Sequence, residues 1–400
     1  MKTALTAIVC LGMMALLCNQ PGWSQVLAGI DVLEQSDFQD LSGRKVGLIT
    51  NHTGTNLKGQ STVTLLLQAT NVDLVTLFSP EHGFAGKLDQ AKIGDTKDSE
   101  SGLKIFSLYG ATKTPTPRSL EGLDTLVFDI QDIGTRFYTY ISTMKGAMET
   151  ASEHGLRFVV LDRPNPIDGI HVQGPVLDAG SESFVGCHTL PVRHGMTTGE
   201  IAGMLKTELE LELDLVIVPL QGWQRDQMFD STGRLWIDPS PNMRSLTEAI
   251  LYPGMGLWET TNVSVGRGTD TPFERLGAPW IDAAELARHL NSNSLPGVAF
   301  IPFDFTPSSS KHANQSCGGI NIMITDRKTF QPLHTGLAIA VALRKLYPDD
   351  WDTTSLNRLL GNSATEEAIL EGLPLGVIIE RYQAELDQFK SRRARHLLYP

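Results

Sequence analysis

The sequence predicts an α/β protein: a Rossmann-like parallel-sheet domain, then a smaller α+β domain, with the active-site cleft between them. Short apolar runs rich in β-branched residues alternate with helical patterns from residue 45 to about residue 221. Such alternation produces a parallel sheet with helices on both faces. Proline- and glycine-rich stretches at 239–241 and 252–256 then indicate a junction near residue 245.

The strands predicted for the first domain lie at 45–50, 72–78, 105–109, 125–130, 158–161 and 215–218, with helices at 61–69, 140–154 and 198–211. The last helix follows Thr197 and has Glu200 in its first turn, a typical helix N-terminus. The second domain has a loop-like segment at 259–277, strands at 298–303 and 320–324, and helices at 282–290, 336–346, 356–360 and 375–389.

The N-terminus has the pattern of a secretory signal. An apolar stretch at 4–17 is followed by Gly22 and Ser24, small residues at the positions that a signal peptidase requires. Cys18 permits a lipoprotein alternative, but the preceding Leu17 is bulky where such signals have a small residue, which favours cleavage after Ser24. The predicted divisions are a signal peptide (1–24), the Rossmann-like domain (25–244) and the α+β domain (245–400), in a periplasmic or secreted protein.

Composition excludes several classes of partner. The 400 residues are 41% hydrophobic and 20% charged, as in ordinary soluble globular proteins. The formal net charge of −12 argues against nucleic acid or an anionic membrane surface as a partner, and no stretch beyond the signal is suited to span a bilayer. Cys187 and Cys317 alone would remain after cleavage, which is no disulfide framework; whether they pair is open.

The segment 79–84, with the sequence SPEHGF, directly follows a predicted strand. Ligands of open parallel sheets bind beyond the carboxyl ends of the strands. A carboxyl group shielded at such an apolar strand end has a raised pKa, which suits a general acid near neutral pH. We therefore predict that Glu81 is catalytic; the alternative is a helix cap. His82 is predicted to bind substrate or to orient a carboxylate, the alternative being a structural histidine.

Two further strands end in polar segments. Asp129 and Gln131 follow the strand at 125–130 and point to the same side because side chains alternate. We expect an ion pair between Asp132 and Arg136, and Tyr138 is predicted as an aromatic platform for a sugar or as packing at a helix start. In the loop 162–166, which begins with Asp162, two prolines hold Arg163 and Asn165 in extended geometry, which suits binding, although a plain turn is the alternative. The second half contributes the polar side chains of Glu259, Asn262 and Arg267.

The sequence lacks the motifs of several enzyme classes. The turn at 50–54 has no G-x-G-x-x-G sequence, and no G-x-x-x-x-G-K-[ST] loop or G-x-S-x-G elbow occurs. An NAD enzyme, an NTPase and a serine hydrolase are therefore disfavoured. The histidines and cysteines are not spaced as metal ligands, so no metal and no cofactor is expected.

Six short motifs occur together and in order. They are SPEHG at 79–83, the segment 129–140, DRPNP at 162–166, RHGMT at 193–197, PSPNM at 239–243 and GRGT at 266–269. The set resembles the exo-β-N-acetylmuramidases, NamZ-like glycoside hydrolases formerly catalogued as a domain of unknown function, over residues 29–381. The resemblance implies the same two-domain fold and release of N-acetylmuramic acid from the non-reducing ends of peptidoglycan fragments during cell-wall turnover or recycling. It places the family's catalytic glutamate on Glu81.

The second catalytic group is less specified: Asp129 is our choice, with Asp162 and Glu259 as competitors. The predicted substrate-binding residues are Asn51, His82, Gln131, Arg136, Tyr138, Asp162, Arg163, Asn165, His194, Asn242, Glu259, Asn262 and Arg267. Among the arginines, Arg163 and Arg267 are the first candidates to bind the lactyl carboxylate of muramic acid, and Arg136 is the third. A non-catalytic cell-wall sugar-binding protein with the same cleft is the alternative function. The sequence leaves open the oligomeric state and whether the anomeric configuration is retained.

Overall fold

The computed structural model describes residues 25–90 and 92–400, so the predicted signal peptide lies outside the described residues. The strands are β1 (Lys45–Thr50), β2 (Asp73–Ser79), β3 (Thr96–Lys97), β4 (Lys104–Ser107), β5 (Thr125–Asp129), β6 (Arg157–Leu161), β7 (Gln173–Val176), β8 (Pro191–Arg193), β9 (Leu215–Val218), β10 (Arg275–Ala278), β11 (Val298–Phe305) and β12 (Cys317–Ile324). The α-helices are α1 (Gly29–Gln35), α2 (Thr62–Gln68), α3 (Tyr140–Glu153), α4 (Thr198–Glu208), α5 (Leu246–Met255), α6 (Ala283–Ser292), α7 (Pro332–Leu346), α8 (Asn357–Leu360), α9 (Ser363–Leu370) and α10 (Leu375–Arg393).

The first half contains a seven-stranded sheet with the order β3-β4-β2-β1-β5-β6-β9. All its pairs are parallel except β3 with β4. The chain passes from β1 to β2 and β4 on one side, then returns to β5 on the other, so the strand order reverses between β1 and β5. Ligands bind beyond the carboxyl ends of strands at such a reversal. The predicted Rossmann-like sheet is confirmed.

The predicted α4 N-terminus is confirmed in detail. The Thr197 hydroxyl accepts a hydrogen bond from the Glu200 N–H at 3.2 Å, and the Glu200 carboxylate accepts one from the Thr197 N–H at 3.0 Å. Two of the N–H groups that have no partner within the helix are thereby satisfied.

The second half is the predicted smaller α+β unit, built on an antiparallel sheet with the order β10-β12-β11. The proline- and glycine-rich stretch at 252–256 lies largely within α5, which begins with a capping box between Ser245 and Glu248 and accommodates Pro253 in its last turn. One expectation was wrong: the segment 259–277 contains the start of β10, which pairs with β12 rather than remaining a loop.

The two halves share one continuous apolar core, which includes Ile141 of α3, Met255 of α5 and Leu337 of α7. Helices α5 and α7 approach closely at Gly254 and Gly336. A Cβ atom on Gly336 would lie 2.5 Å from the Gly254 carbonyl oxygen, so only glycine permits this packing. The boundary between residues 244 and 245 stays a prediction, because α5 starts just beyond it and its core is shared.

Arg136 joins the halves through the backbone. Its fully buried guanidinium donates hydrogen bonds of 2.7–3.1 Å to the carbonyl groups of Pro175, Leu190, Leu359 and Leu360. The expected ion pair with Asp132 is not formed, because these four carbonyls surround the cation instead. Burial lowers the Arg136 pKa to about 9, and the negative charge of Asp178 partly offsets the effect.

Residues 398–400 pack against the first half of the chain. The Arg225 N–H donates to the Pro400 carbonyl at 2.9 Å, and the Tyr399 hydroxyl donates to the Asp162 carboxylate at 2.5 Å. The most C-terminal residues therefore contact the end of β6. Cys187 and Cys317 are buried and free. Among the described residues, no helix combines the length and apolarity needed to cross a membrane.

Candidate active site

A cavity of about 320 Å³ lies between the two halves, beyond the carboxyl ends of β2 and β5. Its wall is formed by Val185 and by residues from the segments 81–89, 137–140 and 240–243 of the first half, and by residues from the segments 252–273 and 358–359 of the second half. Its position agrees with the cleft predicted from the strand-end motifs.

The loop after β2 presents Glu81 to this cavity. Gly83 donates a backbone hydrogen bond to the Pro80 carbonyl at 3.1 Å, which closes a turn around Glu81. His82 adopts the left-handed region, with φ of 69°, and its Nδ1 contacts the Leu88 carbonyl at 2.9 Å. This region is uncommon for residues other than glycine. His82 lines the cavity and also stabilises the loop.

A hydroxyl group contacts the Glu81 carboxyl group. Thr139, the residue before α3, donates its hydroxyl hydrogen to Oε2 of Glu81. Burial, followed by the influence of Glu81, raises the pKa of Tyr109, so this phenol stays neutral. The Thr139 contact fixes one carboxyl oxygen and leaves Oε1 for other partners.

The opposite wall carries a second carboxylate, Glu259. Arg267 donates to it at 2.8 Å, and the Tyr252 hydroxyl lies 3.4 Å from its other oxygen. Arg267 also donates to Asp89 at 2.7 Å, which links the second half to the loop after β2. The Asn242 amide approaches the same Asp89 carboxylate at 3.4 Å. Although burial acts against the charged form, these two carboxylates raise the Arg267 pKa.

Aromatic rings form the inner surface of the cavity. Tyr138 contacts Tyr140 with ring centroids 4.9 Å apart, and Tyr252 contacts Phe137 at 5.2 Å and Phe273 at 4.7 Å. Burial raises the pKa values of Tyr138 and Tyr252, so both phenols remain neutral. The cluster offers apolar faces beside charged carboxylates, a combination that suits a sugar ring.

The structure brings together six of the predicted site residues in this wall: Glu81, His82, Tyr138, Asn242, Glu259 and Arg267. The other nine lie outside it.

Asp129 and Arg163 pair with each other beneath the site. Arg163 Nε and Nη2 lie 2.6 Å and 3.0 Å from the two Asp129 oxygens, and the Thr62 hydroxyl also donates to Asp129. Both side chains are nearly inaccessible, with exposed fractions of 3% for Arg163 and 0% for Asp129. These contacts satisfy both charges, so the position of Asp129 does not support the predicted catalytic role. Arg163 and Gln131 instead line a separate cavity with Trp236.

Asp162 supports the sheet rather than the cleft. Its carboxylate accepts hydrogen bonds from the Thr197 hydroxyl and the Gly199 N–H, both at 2.7 Å, and from the Tyr399 hydroxyl. Burial raises the Asp162 pKa to about 6, and these hydrogen bonds oppose the rise. Asp162 therefore fixes the start of α4 and the terminal segment.

Three asparagines likewise hold backbone or neighbouring side chains. Asn51 donates to the Tyr140 hydroxyl at 3.2 Å and so positions a wall residue from behind. Asn165 donates to the Met196 carbonyl at 3.0 Å, and Asn262 donates to the Asp350 carbonyl at 2.7 Å. These three asparagines, like Arg136 with its four carbonyl partners, stabilise the structure around the cavity and do not line it.

His194 and Asp132 form a buried pair behind the cavity. His194 Nε2 lies 4.0 Å from Asp132 Oδ2, and neither His194 Nε2 nor Asp132 Oδ1 has a hydrogen-bond partner among the described residues. Burial raises the Asp132 pKa to about 7, partly offset by the Gly134 and Ile133 N–H groups. Burial also lowers the His194 pKa to about 3. At acidic pH both side chains are therefore neutral in the folded protein.

The wall or contact residues that sequence reasoning missed include Asp89, Tyr109, Thr139, Tyr252 and Arg358. Thr139 lies within the motif 129–140, so its place before the predicted α3 was a usable signal. Asp89 lies in the same loop as Glu81 but beyond the SPEHG motif. Tyr109, Tyr252 and Arg358 stand outside the six motifs and reach the site through tertiary packing. Among the described residues, no group of three or more histidine, cysteine, aspartate or glutamate side chains is arranged to hold a metal ion.

Comparisons with known proteins cover almost the whole chain. Residues 46–247 match the N-terminal and residues 250–399 the C-terminal profile of the family described as exo-β-N-acetylmuramidase NamZ. The peptidoglycan β-N-acetylmuramidase NamZ of Bacillus subtilis (strain 168) is 43% identical over 379 residues, which are 94% of this chain and 92% of that protein.

Two crystal structures of DUF1343 family proteins from Bacteroides fragilis NCTC 9343 are also similar. The first has a TM-score of 0.88 and 36% identity, and the second a TM-score of 0.77 and 31% identity. Each comparison covers 94% of this chain and 99% of the other.

The buried Asp132 predicts a specific pH dependence of stability. The pKa of Asp132 is about 7 in the folded protein, above the ordinary value of 3.8. Between pH 3.8 and about pH 7, the Asp132 carboxyl group is therefore protonated in the folded state and ionised in the unfolded state. The contribution of Asp132 to stability is therefore greatest below this window and falls as pH rises through it. In urea unfolding at about pH 5 and about pH 8, Asp132→Asn should gain stability relative to the natural protein at the higher pH.

The control is Asp226→Asn, which replaces an exposed carboxyl group. Its difference from the natural protein should not change with pH. If the free energy of unfolding changed equally with pH in Asp132→Asn and in the natural protein, the raised pKa of Asp132 would be contradicted.

Proposed function

The chain belongs to the exo-β-N-acetylmuramidase NamZ family, and we propose that Glu81 is the general acid of its reaction. The enzyme is a glycoside hydrolase that releases N-acetylmuramic acid from the non-reducing ends of peptidoglycan fragments. The observation that carries the proposal is the position of Glu81 in the cleft wall, fixed through Oε2 by Thr139 and faced by a second carboxylate across an aromatic surface.

The chemistry follows from this arrangement. Protonated Glu81 gives its proton to the glycosidic oxygen while the bond from that oxygen to the anomeric carbon breaks. Because Thr139 engages Oε2, Oε1 is the oxygen available to carry the proton. Positive charge then develops on the sugar ring, and a water oxygen finally bonds to the anomeric carbon, directly or after a covalent intermediate.

Glu259 is the proposed second carboxylate. It lines the cleft, its side chain is 17% exposed, and Arg267 and Tyr252 orient it. A carboxyl separation of about 5–5.5 Å would make it a nucleophile, whereas about 6.5–9.5 Å would leave space for a water that it activates. In both cases Arg267 and Tyr252 hold the carboxyl group in place.

The size of the cavity fits an exo-acting enzyme. A volume of about 320 Å³ is at the lower end of the range for small-molecule sites, about 300–1,000 Å³. Such a cavity suits one terminal sugar with its substituents rather than the interior of a long glycan. A periplasmic or secreted location is part of the proposal, supported by the signal pattern at 1–24 and by the extracytoplasmic position of peptidoglycan.

The direct test is hydrolysis of 4-nitrophenyl β-N-acetylmuramide, with the corresponding N-acetylglucosaminide as the comparison. The muramide should release nitrophenol and free N-acetylmuramic acid. Binding of the muramide without turnover would instead favour the sugar-binding alternative, and faster hydrolysis of the glucosaminide would contradict the substrate assignment.

Glu81→Gln should leave the fold intact and lower kcat by about two orders of magnitude or more, because general acid catalysis contributes about 10²–10⁴-fold. The loss should be larger for a muramyl disaccharide than for the nitrophenyl glycoside, whose leaving group needs little protonation. Both kcat values are compared with those of Glu153→Gln, an exposed carboxyl at the end of α3. Near-normal turnover of the disaccharide by Glu81→Gln would refute the assignment.

Glu259→Gln should lower kcat by a similar factor, about 10² or more, but to the same extent for both leaving groups, because this carboxylate acts at the attacked face of the sugar. The anomer first formed, followed by NMR, distinguishes a nucleophile from a base. A Glu259→Gln enzyme with undiminished kcat would require another partner for Glu81.

A further inference from the structure

Two arginines line the cavity among the described residues, and they differ in what they contact. Arg267 already engages Glu259 and Asp89. The Arg358 side chain forms no ion pair and no hydrogen bond with a described residue, although it lines the same wall and is exposed to solvent. Arg358 is thus a cation directed at the cavity whose donors are available to a ligand.

The backbone beneath Arg358 is held in place. Arg358 lies in α8, and the next two residues, Leu359 and Leu360, both give their carbonyl oxygens to Arg136 at 2.7 Å. Gly361 ends the helix with φ of 61°, and a Cβ there would lie 3.0 Å from Arg136 Nη2. The buried guanidinium of the first half therefore fixes the position from which the Arg358 side chain extends.

Arg358 and Glu81 line the same cavity. Because a volume of about 320 Å³ suits a single sugar unit, a sugar whose glycosidic oxygen meets Glu81 shares this space with the guanidinium. The pKa of Tyr109 agrees with this placement: burial raises it most, Glu81 raises it further, and the positive charge of Arg358 opposes both.

The other charged residues of the wall are mostly acidic, so a cation without a partner is important for binding an anionic sugar. Glu81, Asp89 and Glu259 are all acidic, and the chain has a net charge of −12. N-Acetylmuramic acid differs from N-acetylglucosamine by a lactyl ether, which adds a carboxylate to the ring bound here. An anionic group would be repelled by this wall unless a cation compensated it.

We propose that Arg358 binds the lactyl carboxylate and thereby selects muramyl over glucosaminyl residues, an inference that rests on the proposed function. The planar guanidinium meets a carboxylate through two parallel hydrogen bonds. The arginines favoured by the sequence are committed elsewhere: Arg163 to Asp129, Arg136 to backbone carbonyls and Arg267 to two carboxylates. Arg358 takes their place as the residue that determines specificity.

The test combines one substitution with one change in the substrate. Arg358→Met keeps the length and apolar stem of the side chain but removes the charge. The natural enzyme and this variant are assayed with 4-nitrophenyl β-N-acetylmuramide and with its analogue in which the lactyl carboxylate is a neutral carboxamide. The matched control is Arg288→Met, an exposed arginine of α6 outside the cavity.

We expect Arg358→Met to lower kcat/KM for the carboxylate substrate by about 10- to 150-fold, as for a hydrogen bond to a charged group. The carboxamide should lose little, and Arg288→Met should change neither value. Arg358→Lys should recover part of the loss, because it restores the charge without the planar fork. This variant also provides a second reading if Arg358→Met does not fold.

Two outcomes would overturn the inference: an unchanged ratio of the two kcat/KM values in both Arg358 variants, or the same shift of that ratio in Arg288→Met. Each can be recognised while the natural enzyme still hydrolyses the muramide. Failure of the proposed function has a different signature, since the natural enzyme would then hydrolyse neither substrate.

Discussion

The buried guanidinium of Arg136 is the interaction on which the geometry of the cleft depends. A cation without a carboxylate partner is costly to bury, and four carbonyl dipoles compensate it here. Two of these carbonyls belong to the first half and two to α8, so the cation cannot be satisfied unless the halves are docked. The same hydrogen bonds fix the position of α8 at the edge of the cavity. Stability and the shape of the binding site are thus coupled in one residue.

The charged groups of the wall are held by two different kinds of partner. A neutral hydroxyl, from Thr139, contacts Glu81, whereas the guanidinium of Arg267 contacts Glu259. The two sides of the cleft therefore offer carboxyl groups with different surroundings, one beside a hydroxyl and one beside a cation.

The sequence predicted the sheet well because buried parallel strands are continuous apolar runs, which are visible locally. It also identified Glu81, since the acid lies within a short motif at a strand end. The sequence did not predict which polar side chains are buried beneath the cavity rather than exposed in it. Alternation placed Asp129 and Gln131 on one side of a strand, but only packing shows that Arg163 covers the Asp129 carboxylate. Arg358 reaches the site from a distant part of the chain, and Asp89 follows the SPEHG motif without belonging to it, so no local pattern marked them.

The contacts of residues 398–400 constrain the order in which the protein acquires its structure. Asp162, at the end of a central strand, receives the Tyr399 hydroxyl, and the segment after β9 pairs with Pro400 through Arg225. During synthesis on the ribosome, more than two hundred residues are made between Asp162 and its partner. Until residues 398–400 are made, the Asp162 carboxylate lacks one of its hydrogen bonds. Folding of the first half is therefore completed only when this distant segment docks.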